Sequence, residues 1–205
     1  LDKQVGIECQ VYTSENNSWL FEFPSLPKGR FNSVCFVYRD SLYVFGGTDN
    51  SSNMNEIVRY DLSTQNSGEW TTIAKVNEAN QRGGVAFVVE DKVYAGLGEK
   101  SNGIRNGFYV SSDSLTKWEL IPSIPAQLGV ISSGVYDEQK KSFFMIDNDG
   151  KIWEYNLTTE QWTSRSLWIR MKNYHMFMLD GSIYILGQDI YQKNKFTVYN
   201  PIWDN

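Results

Sequence analysis

The feature that most constrains the fold is a tryptophan that returns at Trp19, Trp70, Trp118 and Trp162, each after a polar turn. Each opens a short run: WLFEF, WTTIA, WELIP and WTSRS. The spacings of 51, 48 and 44 residues define a period that an array of equal units satisfies. Tyrosines seven to ten residues upstream form a second series, Tyr12, Tyr60, Tyr109, Tyr155 and Tyr199, in QVYTS, VRYDL, FYVSS, WEYNL and TVYNP. These mark the strand before.

Between one tryptophan and the next tyrosine lie two apolar runs joined by a polar turn: VCFVYRDSLYVFGG, VAFVVEDKVYAGLG, SGVYDEQKKSFFMID and HMFMLDGSIYILG. Arg39-Asp40, Glu90-Asp91 and Asp180-Gly181 supply hairpin chemistry. Each unit is therefore four strands, a to d. Alternation along them is weak, as expected of a sheet buried on both faces by its neighbours. The chain is 15% aromatic, with seven Trp and twelve Tyr, which favours strands over helices. The fold class is all-β, a β-propeller in one domain, with the tryptophan expected on the next blade and the tyrosine between blades. Gly46-Gly47 and Gly96/Gly98 end strand b, where glycine permits a sharp exit and close approach.

A strand ending in Gly-Gly, followed by a spaced Tyr and Trp, resembles the kelch repeat. The resemblance spans about residues 5 to 205, with units near 5–23 (partial), 30–74, 82–122, 130–166 and 174–200 (partial). The copies are degenerate: after Gly46-Gly47 come Gly96-Leu97-Gly98, then MIDNDG, then a lone Gly187. About four blades are visible. Strands c and d at about 5–12 and 18–23, three full units, and a, b and c at about 174–180, 182–188 and 195–199 make seventeen strands. Strand c stands at both ends. The resemblance implies six or seven blades, so the reading is a portion of a larger propeller, with a small closed ring as the alternative. The absence of an initial Met adds the expectation that something preceding residue 1 has been removed.

The resemblance also implies where a ligand would sit: one face, built from the loops joining d to the next a and b to c. An arginine opening strand a often lines that mouth in the family. The matching positions are Arg30 in KGRFNSV, Arg82 in NQRGGVA and Lys172-Asn173 in the fourth unit, while the third unit departs with QLGVISS. Converging guanidinium forks would bind an anion; the alternative is a solvated charge at each strand end. The b–c loops GGTDNSSNMNE and LGEKSNGIRNG are rich in Asn and Ser, a composition suited to binding. Thr48, Asp49, Lys100, Asn102 and Arg105 are their candidates.

The net charge of −5 without a basic block argues against nucleic acid. No run of 18 apolar residues exists to span a membrane. Cys9 and Cys35 with one histidine, His175, cannot assemble a Cys/His zinc site; they are either bridged or buried thiols. His175 is read as structural. DNDGK, with Asp147, Asp149 and Gly150, reads as a turn because the EF-hand spacing and distal Glu are missing. Sequons begin at Asn16, Asn50 and Asn156. No Walker loop, GxSxG or HExxH points to a cofactor or a catalytic centre.

The resulting expectation is a non-enzymatic binding module that presents polar loops to a protein or glycan, with no cofactor. One alternative is a sugar-modifying enzyme resembling the kelch-type sialic acid epimerases. Another is a scaffold subunit, with another chain completing the propeller. The similarity to secreted bacterial kelch-like proteins implies an extracellular or cell-surface location, with the cytoplasm as the alternative.

Overall fold

The computed structural model describes residues 9–64, 67–103, 105–112, 114–168, 171–189 and 191–200. Its strands form antiparallel sheets in chain order. An edge sheet pairs β1 (Cys9–Thr13) with β2 (Ser18–Phe23). Blade one follows, with β3 (Val34–Tyr38), β4 (Ser41–Phe45), β5 (Glu56–Asp61) and β6 (Thr71–Lys75) side by side. Blade two is β7 (Val85–Val89), β8 (Lys92–Gly96), β9 (Phe108–Ser112) and the short β10 (Glu119–Leu120). Blade three is β11 (Ile131–Asp137), β12 (Ser142–Asp147), β13 (Lys151–Asn156) and β14 (Gln161–Trp168). Blade four has three strands, β15 (Lys172–Leu179), β16 (Ser182–Gln188) and β17 (Asn194–Tyr199). The fold is an all-β array of antiparallel sheets.

Turn chemistry sets the hairpins. Arg39 and Asp40, both at positive φ (45° and 54°), join Tyr38 to its partner Ser41. Asp180 (49°) and Gly181 (73°) do the same between Leu179 and Ser182. Two successive left-handed residues make the turn whose twist matches the strands. Gly46, at φ 63°, closes β4 under the link to blade two: a Cβ there would lie 2.5 Å from the Ala79 carbonyl oxygen and 2.7 Å from that of Gln81. Leu97 holds the same φ at the equivalent point of blade two, fully buried.

Hydrophobic clusters lie between consecutive sheets. Tyr43, Phe45 and Ile57 of blade one meet Val93, Ala95 and Leu115 of blade two, while Val44, Val58, Tyr60 and Trp70 meet Phe23 of the edge sheet. The largest cluster joins blades two and three, with Phe87 stacked on Phe143 at 4.3 Å between ring centroids. Phe144, Ile146 and Ile152 then meet Tyr174, Met176, Ile183, Ile185 and Tyr199 of blade four. Each blade therefore has a backward face toward its predecessor and a forward face toward its successor. Burying both faces in aliphatic and aromatic side chains, at about 25 cal/mol per Å² of apolar surface, holds the array together.

Two expectations require correction. The tryptophans pack on the preceding blade, not the next: Trp118 meets Phe45 edge-on at 5.3 Å, and Trp162 meets Phe108 at 5.9 Å. The reason is cross-strand pairing. Trp162 lies opposite Tyr155, and Trp19 opposite Tyr12, on the face that looks backward. Tyr109 is in the third strand of its blade, but Ser111, not Tyr109, takes the place of Tyr60, because Ser111 pairs with Val93 as Tyr60 pairs with Leu42. Leu115, fully buried, fills the volume, and the Ser111 hydroxyl is left buried without a hydrogen-bond partner. Cys9 and Cys35 are not joined in a disulfide, and Cys35 is exposed, not buried. β2 pairs with β1 and β17 with β16, and among the described residues no pairing joins the first sheet to the last.

Candidate functional site

The b–c loops and the d–a links meet at one end of the blades, where buried polar groups tie them together. Arg30 precedes β3 with its side chain almost wholly buried. Its Nη1 donates to the Gly46 carbonyl (3.1 Å), Nη2 to Glu56 Oε2 (3.2 Å) and Nε to the Lys28 carbonyl (3.4 Å). The strand register makes Gln81, not Arg82, its counterpart in blade two, since Val34 pairs with Phe45 as Val85 pairs with Gly96. Gln81 is likewise buried. Its Oε1 accepts from the Gly98 N–H (3.0 Å) and Asn106 Nδ2 (3.1 Å), and Asn106 Nδ2 also donates to the Glu78 carbonyl (2.7 Å). Repeat offset was the available signal for Gln81; nothing in the local sequence marks Asn106.

Arg82 stands one residue further along, half-exposed, and forms a two-pronged pair with Glu99: Nη2 to Oε1 at 2.9 Å and Nε to Oε2 at 3.2 Å. Glu99 raises the Arg82 guanidinium above its ordinary range, first by hydrogen bonding and then by charge. Such an exposed pair contributes less than about 1 kcal/mol. Arg30 and Arg82 are thus engaged by different carboxylates of their own blades. Arg105 Nε donates to the Leu128 carbonyl (2.9 Å), tying the b–c loop of blade two to the link before blade three, and burial lowers its pKa. Asn53 Nδ2 donates to the Glu99 carbonyl (2.8 Å), so the loops of blades one and two are joined as well.

Thr48 is buried, with Oγ1 donating to the Ser52 carbonyl (3.0 Å). Asp49 Oδ1 accepts from the N–H groups of Ser51 (3.0 Å) and Ser52 (3.1 Å) and from Ser51 Oγ (2.6 Å), while Oδ2 meets Lys28 Nζ at 2.9 Å. These contacts hold its carboxyl far below the usual carboxylate range, the Ser51 hydroxyl first. Asp147 organises the DNDGK turn in the same way, accepting from the N–H groups of Asp149 and Lys151 and from Trp153 Nε1 (2.9 Å).

Lys100 and Asn102 come together in an open cleft of about 460 Å³ lined also by Asn77, Asn80 and Ser101. Lys172 and Asn173 belong to blade four. Asn173, whose Nδ2 donates to Gln188 Oε1 (3.0 Å), lines a second cleft of about 330 Å³ with His175, Leu186, Gly187, Gln188, Asn194 and Lys195. His175 is exposed there, and none of the described residues lining that cleft is acidic. Among the described residues, no three His, Cys, Asp or Glu are grouped to hold a metal ion, and no helix is long and apolar enough to cross a membrane.

Four-stranded antiparallel sheets stacked face to face, with their loops cross-linked at one end, define a repeat β-propeller protein. The family model described as Kelch motif matches residues 29–77, which contain Gly46-Gly47, Tyr60 and Trp70. That match covers one repeat; with the like-built sheets that follow it in chain order, it supports a kelch-repeat propeller, a fold that commonly serves as a protein-binding module. No curated protein matches the sequence.

Proposed function

We propose that the chain is a non-enzymatic binding module that takes a protein segment bearing a carboxylate into the cleft of Lys100 and Asn102. The observation that carries this reading is the lining: three asparagines, a serine and a lysine that forms no ion pair among the described residues. Amide and hydroxyl groups match peptide N–H and C=O groups, and an ammonium prefers a carboxylate. The walls are preorganised, because Asn106, Gln81 and Arg105 tether the loop at its base, so little order need be imposed on binding. No aromatic ring is among the described lining residues, and a sugar's apolar face wants one, which favours a protein over a glycan. The enzyme alternative needs an acid–base pair, and none of the described residues lining the cleft around His175 carries a carboxylate to partner that imidazole.

Selection from a displayed random peptide library tests the reading. Enrichment of Asp- or Glu-bearing peptides, lost in Lys100→Ala, is the expected result. Absence of enrichment, or enrichment indifferent to that substitution, overturns it. Oligosaccharide binding that depends on Lys100 would move the assignment to a glycan.

A further inference from the structure

The junction of blades two and three ends in a group of polar atoms that the fold does not use. Three tyrosines stand around the Phe143 ring: Tyr94 at 5.0 Å, Tyr136 at 5.4 Å and Tyr155 at 6.4 Å between centroids. Tyr94 belongs to the forward face of blade two, while Tyr136 and Tyr155 pair across the strands with Phe143 on the backward face of blade three. The register puts Tyr43, Val88 and Ser111 at these places in the junction before, and Phe144, Met178 and Tyr199 in the junction after. Packing a junction therefore does not require three phenols. Tyr155 is 4% exposed, and its hydroxyl, like those of Tyr94 and Tyr136, forms no hydrogen bond among the described residues.

Three exposed carboxylates share this end of the blades, one from each adjoining turn: Glu90 between β7 and β8, Glu138 between β11 and β12, and Glu160 between β13 and β14. In an antiparallel sheet such turns lie at the opposite end from the b–c loops. None of the three makes an ion pair among the described residues. Lys140, in the same turn as Glu138, is turned away over the Phe144 ring at 5.9 Å, on the other face of blade three. Burial first, and next the Glu160 charge, push the Tyr94 and Tyr155 phenols up; Tyr136 is raised by burial and then by Glu138. The carboxylates thus lie close enough to act on all three rings, and the hydroxyls stay neutral.

We infer that this end of the junction binds an arginine side chain of a partner protein. Unpaired carboxylates call for a cation, and neutral phenol oxygens beside them accept further N–H groups. A guanidinium carries five donors and no acceptor, is weakly hydrated and stacks on aromatic surface, so it can use carboxylates, hydroxyls and rings together. A metal ion would need the carboxylates converged, and among the described residues no three His, Cys, Asp or Glu are so placed. The Lys100 cleft, at the other end of the blades, takes no part.

Fluorescence anisotropy of a dye-labelled Gly-Arg-Arg-Gly peptide with the whole chain tests this, with Gly-Lys-Lys-Gly as the comparison. Saturable binding of one peptide per chain, tighter for arginine, is the expected result. Tyr155→Phe keeps the ring in its cluster and the net charge unchanged, and Glu160→Gln removes one exposed charge. Each should weaken binding about tenfold, as loss of one hydrogen bond to a charged group does. Glu69→Gln removes the same charge from an exposed turn of blade one, and in about 0.15 M salt, which screens charges beyond about 8 Å, it should leave binding within about twofold. No saturable binding, equal affinity for the two peptides, Tyr155→Phe binding like the unaltered chain, or Glu69→Gln as harmful as Glu160→Gln each overturns the proposal. Lys100→Ala should bind this peptide as the unaltered chain does, so failure of the peptide selection would leave the result untouched.

Discussion

Replacing Phe143 with alanine should cost about 4 kcal/mol of folding stability. The ring is fully buried in the cluster joining blades two and three, stacked on Phe87 at 4.3 Å and 8° and flanked by Tyr94 at 5.0 Å, Tyr136 at 5.4 Å and Phe108 at 6.0 Å. Truncating a buried Phe to Ala costs about 3–5 kcal/mol through lost transfer energy and the residual cavity. The neighbours are themselves rings, whose rigid planes collapse poorly into a void, which places the value in the upper part of that range. A domain of this size holds about 5–15 kcal/mol in all, so the variant should remain folded but melt at much lower urea. Trp153 and Trp162 belong to the same cluster and report its opening by fluorescence. Phe143→Leu is the comparison. It keeps most of the volume at a position where the equivalent residues are Leu42, Val93 and Ile183, and should cost about 1.5 kcal/mol. A loss below about 1.5 kcal/mol for alanine, or equal losses for alanine and leucine, would refute packing as the reason.

Three further outcomes follow from the geometry. Gly46→Ala sets a Cβ 2.5 Å from the Ala79 carbonyl oxygen at φ 63°, so it should destabilise by more than the roughly 1 kcal/mol that the left-handed conformation alone costs; thermal melts check this. Asp49, Asp61 and Asp189 have folded-state pKa values below their unfolded ones, the first and second chiefly through serine hydroxyls and the third through the Lys193 N–H. Their contribution is therefore complete above the ordinary carboxylate range and lost as pH falls through the folded values, so urea midpoints should drop below about pH 4 and Asp49→Asn should flatten that drop. Expressed through a eukaryotic secretory route, Asn16 and Asn50, both exposed, should accept glycans. Asn156 should not, because its Nδ2 donates to Ser142 Oγ (3.1 Å) and its Oδ1 accepts from the N–H groups of Thr158 and Thr159; mass spectrometry of the three sequons reads the result.

The strands and their hairpins were legible because turn chemistry and the Trp–Tyr period are local properties. Even the pairing of Tyr12 with Trp19 could be anticipated from a spacing of seven. Direction was not legible. Alternation says that Trp70 and Tyr60 share a face, but both faces of a blade are buried, so nothing in the pattern tells which neighbour they touch. Register suffered from loop length: ten residues separate Tyr60 from Trp70, but Tyr155 precedes Trp162 by seven, and Tyr109 at nine passed for the same rung that Ser111 occupies. The same slip by one residue hid Gln81 behind Arg82. The candidate loop residues were legible as a neighbourhood, not as roles. Arg30, Thr48 and Asp49 turn out to hold the loops, while Lys100 and Asn102 line open space.

Because the hydrophobic clusters among the described residues bridge consecutive sheets, these sheets behave as a row of coupled units in which each inner blade is held on two sides and each outer described sheet on one. Opening should therefore run like a zipper from its ends. The amides of β1 and β17 should exchange with solvent at the cost of a single junction. Those of β8 and β12, flanked by two junctions apiece, should exchange only when a neighbour has already left. Protection from hydrogen exchange across the seventeen described strands would then rise and fall along the chain in one arch, its crest over the packed rings of Phe87, Phe108 and Phe143.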